Sequence, residues 1–117
     1  MIDITIKKYL EKALSVPCRF EAFDPDETEP GEYILIERVG SQMRNRVRTV
    51  SFAFQSYSLN SMQNAAELDL RVVNAMTDAP DHVDTITASH MVTEYNHTDT
   101  RTKKYRYQCT FDITFYE

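Results

Sequence analysis

The segment 103–117 alternates apolar and polar side chains almost without exception, and this pattern limits the fold more than any other feature of the chain. The apolar members share one parity: Tyr105, Tyr107, Cys109, Phe111, Ile113 and Phe115. Successive side chains of a strand point to opposite faces, so a period of two predicts a long strand with one apolar face. Such a face needs a cover, and we expect a sheet packed against helix, with the C-terminus built into the fold.

Two segments show helical periodicity. Asp3 can cap a first helix, whose apolar positions recur at helical spacing and which ends at Pro17. A second and longer helix reaches about Asp78 before Pro80 stops it. Its candidate N-caps are Ser58, Asn60 and Ser61. Each helix has one apolar stripe, and we therefore expect both to pack against the sheet.

Strand patterns occupy much of the remaining chain. They are predicted at 18–23, 33–39, 44–57 and 84–95. Gly40 and Ser41 are expected to form a turn, and a polar turn at 96–102 joins the last two strands as a hairpin. The element order α-β-β-β-α-β-β predicts one α+β domain over residues 1–117, with an antiparallel or mixed β-sheet and two helices packed on one face.

Composition is that of an ordinary globular domain. A chain of 117 residues can bury roughly two thirds of the surface of its unfolded form, so it can fold without metal or disulfide support. Cys18 and Cys109 are its only cysteines, and without a secretory signal we expect two buried thiols. No apolar run approaches the roughly 18 residues of a membrane span, so neither a membrane nor export is expected.

The net charge of −5 is unevenly distributed. One stretch contains six acidic and no basic residues: Glu21, Asp24, Asp26, Glu27, Glu29 and Glu32. Two prolines and a glycine interrupt it, which predicts a mobile, solvated acidic loop at about residues 24–32. Its spacing lacks the D-x-[DN]-x-[DN]-G order of a calcium loop, so we expect no metal there.

Basic residues gather in two places. Arg44, Arg46 and Arg48 alternate on one predicted strand, which would project three guanidinium groups about 7 Å apart. The second group is Arg101, Lys103, Lys104 and Arg106. The arginine row has three interpretations: a solvated or edge-protecting strand face, a contact with carboxylates of a neighbouring subunit, or a contact with DNA. The chain is acidic as a whole, so sequence-specific nucleic-acid binding is not expected.

Catalytic patterns do not emerge from the sequence. His82, His90 and His97 lie in different local contexts and do not predict a shared metal site. No nucleophile elbow is present, and the two glycines, Gly31 and Gly40, form no phosphate-binding loop. The hairpin tyrosines Tyr95, Tyr105 and Tyr107 are expected in the core and on the sheet surface. We therefore predict a protein that is not an enzyme, with no catalytic residues, cofactor or metal.

Three stretches, in their order and spacing, resemble one protein family. The first is Tyr-Ile-Leu-Ile-Glu at 33–37, after the acidic loop; the second is Phe-Gln-Ser-Tyr-Ser at 54–58, which leads into a helix containing Ala65 and Ala66. The third is the final hairpin, with Tyr95, Asp99 and Arg-Tyr-Gln at 106–108. Together they cover nearly the whole chain. They resemble the tail-terminator, or tail-completion, proteins of long-tailed bacteriophages and their prophage relatives.

This resemblance implies a virion structural protein of the tail or neck, assembled in the host cytoplasm. Its relatives form a ring, usually of about six copies, at the head-proximal end of the tail tube. The ring stops tube growth and joins the tail to the head-side connector. The implied partners are further copies of the same chain, the tail tube protein and the connector protein, with DNA passing through the lumen of the ring.

Separate acidic and basic surfaces suit contacts between unlike patches of neighbouring copies. We predict that residues of the acidic loop or of the arginine row lie at or near these contacts. The candidates are Asp24, Asp26, Glu27, Glu29, Arg44, Arg46 and Arg48.

Two alternatives remain beside the tail terminator. Head–tail connector proteins of the neck, or stoppers, are of similar size, and the sequence does not separate them from terminators. The other alternative is a small α+β regulatory module, in which the hairpin tyrosines and the arginine row would line a pocket for an anionic ligand.

Overall fold

A computed structural model describes residues 1–24, 26–44, 47–98 and 104–116. The chain opens with helix α1 (Ile2–Leu14), which buries one residue per turn at a spacing of four: Ile2, Ile6, Leu10 and Leu14. Ser15 ends it in the left-handed conformation, with φ 56°, and donates its N–H to the carbonyl of Glu11 at 2.9 Å. Pro17 therefore follows a helix that has already ended.

Asp3 does not cap α1, so that prediction is wrong. Met1 occupies the N-cap position, and Asp3 lies in the first turn, where a negative charge interacts favourably with the helix dipole. Its carboxylate also accepts hydrogen bonds from the guanidinium of Arg38, one of them from Nε at 3.3 Å. Asp3 thus ties the start of α1 to the sheet.

The sheet has five strands: β1 (Cys18–Arg19), β2 (Glu32–Arg44), β3 (Val47–Ser58), β4 (Ile86–Asn96) and β5 (Tyr105–Phe115). Their spatial order is β1-β2-β3-β5-β4. β1 runs parallel to β2, and all other neighbours are antiparallel. The sheet is therefore mixed, one of the two arrangements that the sequence predicts.

The first hairpin differs from its prediction. Gly40 and Ser41 do not form a turn, because β2 continues through them and absorbs the irregularity as a register shift between Arg38 and Gly40. A glycine inside a strand often marks such a bulge. The chain instead reverses between Arg44 and Val47, which pair with each other.

Helix α2 (Met62–Thr77) follows β3, and Ser61 is the N-cap among the three candidates. Its Oγ accepts the N–H of Asn64 at 3.1 Å, as a capping serine does. A short helix, α3 (Ala79–His82), follows and was not predicted. Pro80 lies in its first turn, where the missing N–H costs nothing, so Pro80 opens a new turn as well as ending α2.

Both long helices and one face of the sheet form a single apolar core. The strands contribute Ile34, Ile36, Val50, Phe52, Phe54, Cys109, Phe111, Ile113 and Phe115. α2 contributes Leu68, Val72 and Met76. The alternation of β5 predicted from the sequence is confirmed, since its odd-numbered residues from 109 to 115 are buried. The α+β fold with two helices on one face is likewise confirmed.

The opposite face of the sheet, here called the open face, is not covered by either long helix. Its residues on β3 and β5 bond to one another across the strands. Thr49 and Thr114 hydroxyls lie 3.0 Å apart, and Ser51 donates to Asp112 at 2.5 Å. These pairs satisfy polar groups that a helix layer would have desolvated.

Candidate assembly surfaces

The described arginines of the basic row do not lie on one strand. Arg44 ends β2 opposite Val47, whereas Arg48 lies on β3 opposite Met43. The prediction of a single-strand row with period two is therefore wrong, because the hairpin reverses inside the motif. Arg46 lies outside the described residues. Arg44 and Arg48 thus lie near the end of one hairpin, on its two strands, and we call this region the basic hairpin tip. The side chain of Arg48 is half-buried.

The acidic loop is anchored to the sheet. Arg19 at the end of β1 donates from Nη1 to Glu27 at 2.7 Å and from Nε to the carbonyl of Glu21 at 2.9 Å. The hydrogen bond from Arg19 lowers the pKa of Glu27. The strand predicted over 18–23 is shorter in the structure, since only Cys18 and Arg19 pair with β2.

A second anchor lies at Glu29. It accepts hydrogen bonds from Tyr33 Oη at 3.4 Å and from Lys104 Nζ at 3.1 Å. Lys104 leads into β5, so this contact joins the loop to the far hairpin. Arg19 and Lys104 thus connect the described part of the acidic loop to one end of the sheet, while the mobility of the loop stays a prediction. Asp24 and Asp26 stay exposed, and Pro25 lies outside the described residues.

A row of stacked side chains lies beneath the loop and crosses three strands. Phe23 meets Tyr33 edge-on at 4.9 Å, and Tyr33 stacks on Tyr57 with rings 4.6 Å apart and 6° from parallel. Arg106 continues the row: its Nη1 donates to Tyr57 Oη at 2.8 Å, while Tyr57 donates to Gln55 at 2.9 Å. Tyr33 and Tyr57 are only 3% and 8% exposed, so they are not available as a stacking platform for bases.

The hairpin tyrosines and Arg48 lie far apart. Tyr107 pairs with Ser56 of β3. Arg48 lies eight positions from Ser56 along the same strand, which is about 26 Å at strand spacing. Tyr95 pairs with Gln108 and so belongs to the open face, opposite to Tyr107. A pocket lined by both groups, as the regulatory alternative requires, is therefore not formed by these residues.

Two edges of the sheet are open among the described strands. Beyond β4 no described strand follows, and most of β4 is exposed on both sides. On the other side β1 pairs only with Ile34 and Leu35, so β2 has no described strand partner on its outer side from residue 36 onward. The two edges are unlike in sequence.

Exposed apolar side chains accompany both open edges. On β2 and the adjoining hairpin they are Val39, Met43 and Val47. On β4 they are Met91, Val92 and Tyr95. Val39 and Val92 each sit at a register shift and are 53% and 54% exposed. The sequence did not single out these positions, because a bulge turns a side chain away from the face that its parity predicts.

The histidines and cysteines lie apart. His82 stacks on Tyr9 with ring centres 6.1 Å apart, whereas His97 meets Tyr95 edge-on. Cys18 and Cys109 are free and buried, as predicted. Burial raises the pKa of Cys18 to about 12 and raises that of Cys109 as well, so both are neutral thiols with little nucleophilic character.

One buried carboxyl group was missed by the sequence reasoning. Asp69 lies on α2 within its buried stripe and is 2% exposed, against Glu94 of β4 and Cys109 of β5. Burial, followed by the hydrogen bond to Glu94 and its charge, raises the pKa of Asp69 to about 8. Its Oδ1 accepts no hydrogen bond, and the protonated group can instead donate to Glu94. Its spacing from Ala65 and Val72 is a signal that could have placed it inside.

Among the residues that the structure describes, no helix is long and apolar enough to cross a membrane. Among them, no three His, Cys, Asp or Glu side chains are grouped so that they could hold a metal ion. The sequence matches no protein-family model, and no curated protein sequence matches it either.

Proposed function

We propose that this chain is a structural subunit of a bacteriophage tail, which assembles as a ring of about six copies at the head-proximal end of the tail tube. In this role it stops tube growth and offers a surface to the head-side connector. The observation that carries the proposal is the pair of unlike open edges on one sheet. Unlike edges favour head-to-tail contacts, which close into rings when the rotation between copies allows it.

The surface chemistry supports the same role. Exposed valine and methionine side chains at both edges offer apolar contact area, while the helix-covered core is complete without them. The acidic loop and the basic hairpin tip lie at opposite ends of β2, separated along the strand. The family resemblance of the sequence supplies the link to phage tails.

The direct test is a tube-growth assay with the tail tube protein of the same phage. We expect the chain to cap growing tubes, shorten their mean length in proportion to its concentration, and appear as a ring at one end. Tubes whose length distribution is unchanged at a tenfold molar excess of the chain would contradict the proposal.

The arginines are tested separately. Reversal of charge at Arg44, Arg46 and Arg48 together tests whether these residues lie at or near the subunit contact, where the reversal is expected to weaken ring formation. Reversal of Lys8, an exposed lysine of α1, is the control. Rings that form equally well in both variants would place the basic hairpin tip outside the subunit contact.

A further inference from the structure

We propose that neighbouring copies join by strand pairing, with the outer edge of β4 in one copy running antiparallel to the outer edge of β2, residues 37–43, in the next. The ring would then carry one sheet that continues from copy to copy. This proposal rests on the proposed function, since it names the contact by which the ring closes. The occupant of each edge is a second copy of this chain.

Strand direction supports this pairing. β2 is antiparallel to β3, β3 to β5, and β5 to β4, so three reversals make β4 run opposite to β2. Copies that stand side by side in the same orientation therefore present antiparallel edges to each other. A closed head-to-tail ring requires the same orientation in every copy. This pairing meets that requirement, because no copy has to be inverted.

The two edges also lie at the same height of the sheet. Glu37 pairs with Ala53, which pairs with Thr110, which pairs with Thr93. At the other end of the edge, Met43 connects in the same way through Arg48 and Phe115 to Ile86. The free part of β2 thus faces residues 86–93 of β4 in the next copy without any shift along the strands. The shared stretch is about 20 Å long.

The β4 edge lacks charged residues and proline between residues 86 and 93, although it carries register shifts between Ile86 and Ala88 and between Met91 and Thr93. Edge strands of monomeric proteins are commonly blunted by lysine, other charges or proline. Residues 86–93, Ile-Thr-Ala-Ser-His-Met-Val-Thr, contain no Lys, Arg, Asp, Glu or Pro. From Ile86 to Thr93 only Ile86 and Ser89 are buried. An uncharged, exposed edge of this length is a template for another strand.

The facing side chains are compatible position by position. At equal height and on the same face, Glu37 meets Thr93 and Arg38 meets Met91, while Gln42 meets Ala88. No position brings like charges together, which would be destabilising in directly opposed pairs. The bulges at Val39 and Val92 fall at neighbouring heights of the two edges, whereas the second irregularity of β4, between Ile86 and Ala88, has no counterpart on β2.

Cysteine cross-linking tests this contact. Opposed residues of antiparallel strands have Cα atoms about 4.5–5.5 Å apart, within the range that a disulfide spans. The double variant Glu37→Cys/Thr93→Cys is expected to give, on oxidation, a ladder of covalent species that ends at the copy number of the ring. A mixture of the two single variants should give dimers only. The native cysteines are buried and do not interfere.

The matched control combines Thr93→Cys with Gln63→Cys, an exposed position on α2, and is expected to give no ladder. A second pair of variants needs no disulfide: Val92→Lys should raise the concentration at which rings form at least tenfold, whereas Leu70→Lys, at a similar exposure on α2, should leave it unchanged. Thermal unfolding at low concentration should show both variants folded.

Mass measurement and the tube-growth assay on the same samples separate the possible failures. Rings that cap tubes without any Glu37–Thr93 cross-link, and that tolerate Val92→Lys, would overturn the strand-pairing contact and leave the proposed function intact. A chain that neither forms rings nor caps tubes would overturn the proposed function. Cross-linked open chains of indefinite length would support strand pairing and contradict the closed ring.

Discussion

Asp69 offers the sharpest stability prediction, because it is buried on α2 with a pKa of about 8 against an ordinary value near 3.8. Between these two values the unfolded chain has released the proton and the folded chain still holds it. The folded state therefore binds one more proton than the unfolded state, and stability must fall as pH rises through this window. Asp69→Asn removes the titrating group while it keeps the shape and a donor for Glu94.

The magnitude follows from the proton count. One proton difference changes the free energy of unfolding by about 1.36 kcal/mol per pH unit. From pH 5 to pH 7 the wild-type chain should lose roughly 3 kcal/mol relative to Asp69→Asn. Any constant packing effect of the substitution cancels in this comparison, since only the change with pH is used. Above pH 8 the difference in free energy of unfolding between the wild type and Asp69→Asn should become constant, because Asp69 then loses its proton in the folded chain too.

Urea unfolding at half-unit pH intervals from pH 4.5 to 9 measures the two curves. Glu67→Gln, at an exposed position of the same helix, is the control. Its stability should change with pH as steeply as that of the wild type, within error. Parallel curves for the wild type and Asp69→Asn between pH 5 and pH 7 would show that Asp69 is ionised in the folded chain. That result would refute the argument that burial holds the proton on Asp69.

Two further predictions concern single side chains. Ser61→Ala should lower the free energy of unfolding by about 1 kcal/mol, because it removes the acceptor for the Asn64 N–H, while Ser61→Asp should retain most of the stability; chemical denaturation checks both. Cys18 and Cys109 should react with a thiol reagent only after unfolding, since both are buried neutral thiols; modification in the folded state within minutes at pH 8 would contradict their described burial.

Strong local patterns made much of the fold predictable. β5 alternates over its whole length and needs no long-range information to be identified as a strand. α2 has an apolar stripe, a capping serine and a following proline, so its bounds were close to those expected. In both cases propensity, periodicity and end signals indicate the same element.

The first hairpin was misplaced because two turn signals compete within a few residues. Gly40 and Ser41 are good turn residues, but a turn there would end β2 earlier and leave β3 with fewer paired positions. Continuing β2 to Arg44 gives twelve paired positions with β3 and uses Gly40 for a bulge instead. Pairing energy, which a local pattern does not contain, decides between them.

The candidate assembly surfaces depended even more on tertiary contacts. Glu29 and Lys104 are distant in sequence, so no local rule joins the acidic loop to the start of β5. The open edge at β4 follows from the strand order, which places β4 outside β5. The open edge of β2 follows from the shortness of β1, which has only two residues. The sequence identified charged segments as contact candidates; the structure adds two uncharged or weakly charged edges as stronger ones.

Electron micrographs of tail tubes grown with and without this chain test the central claim most directly. We expect tubes that stop at a ring of about six copies bound to one end, and the Glu37→Cys/Thr93→Cys variant should lock that ring covalently on oxidation. Tubes that keep elongating, with the chain unbound in solution, would contradict it.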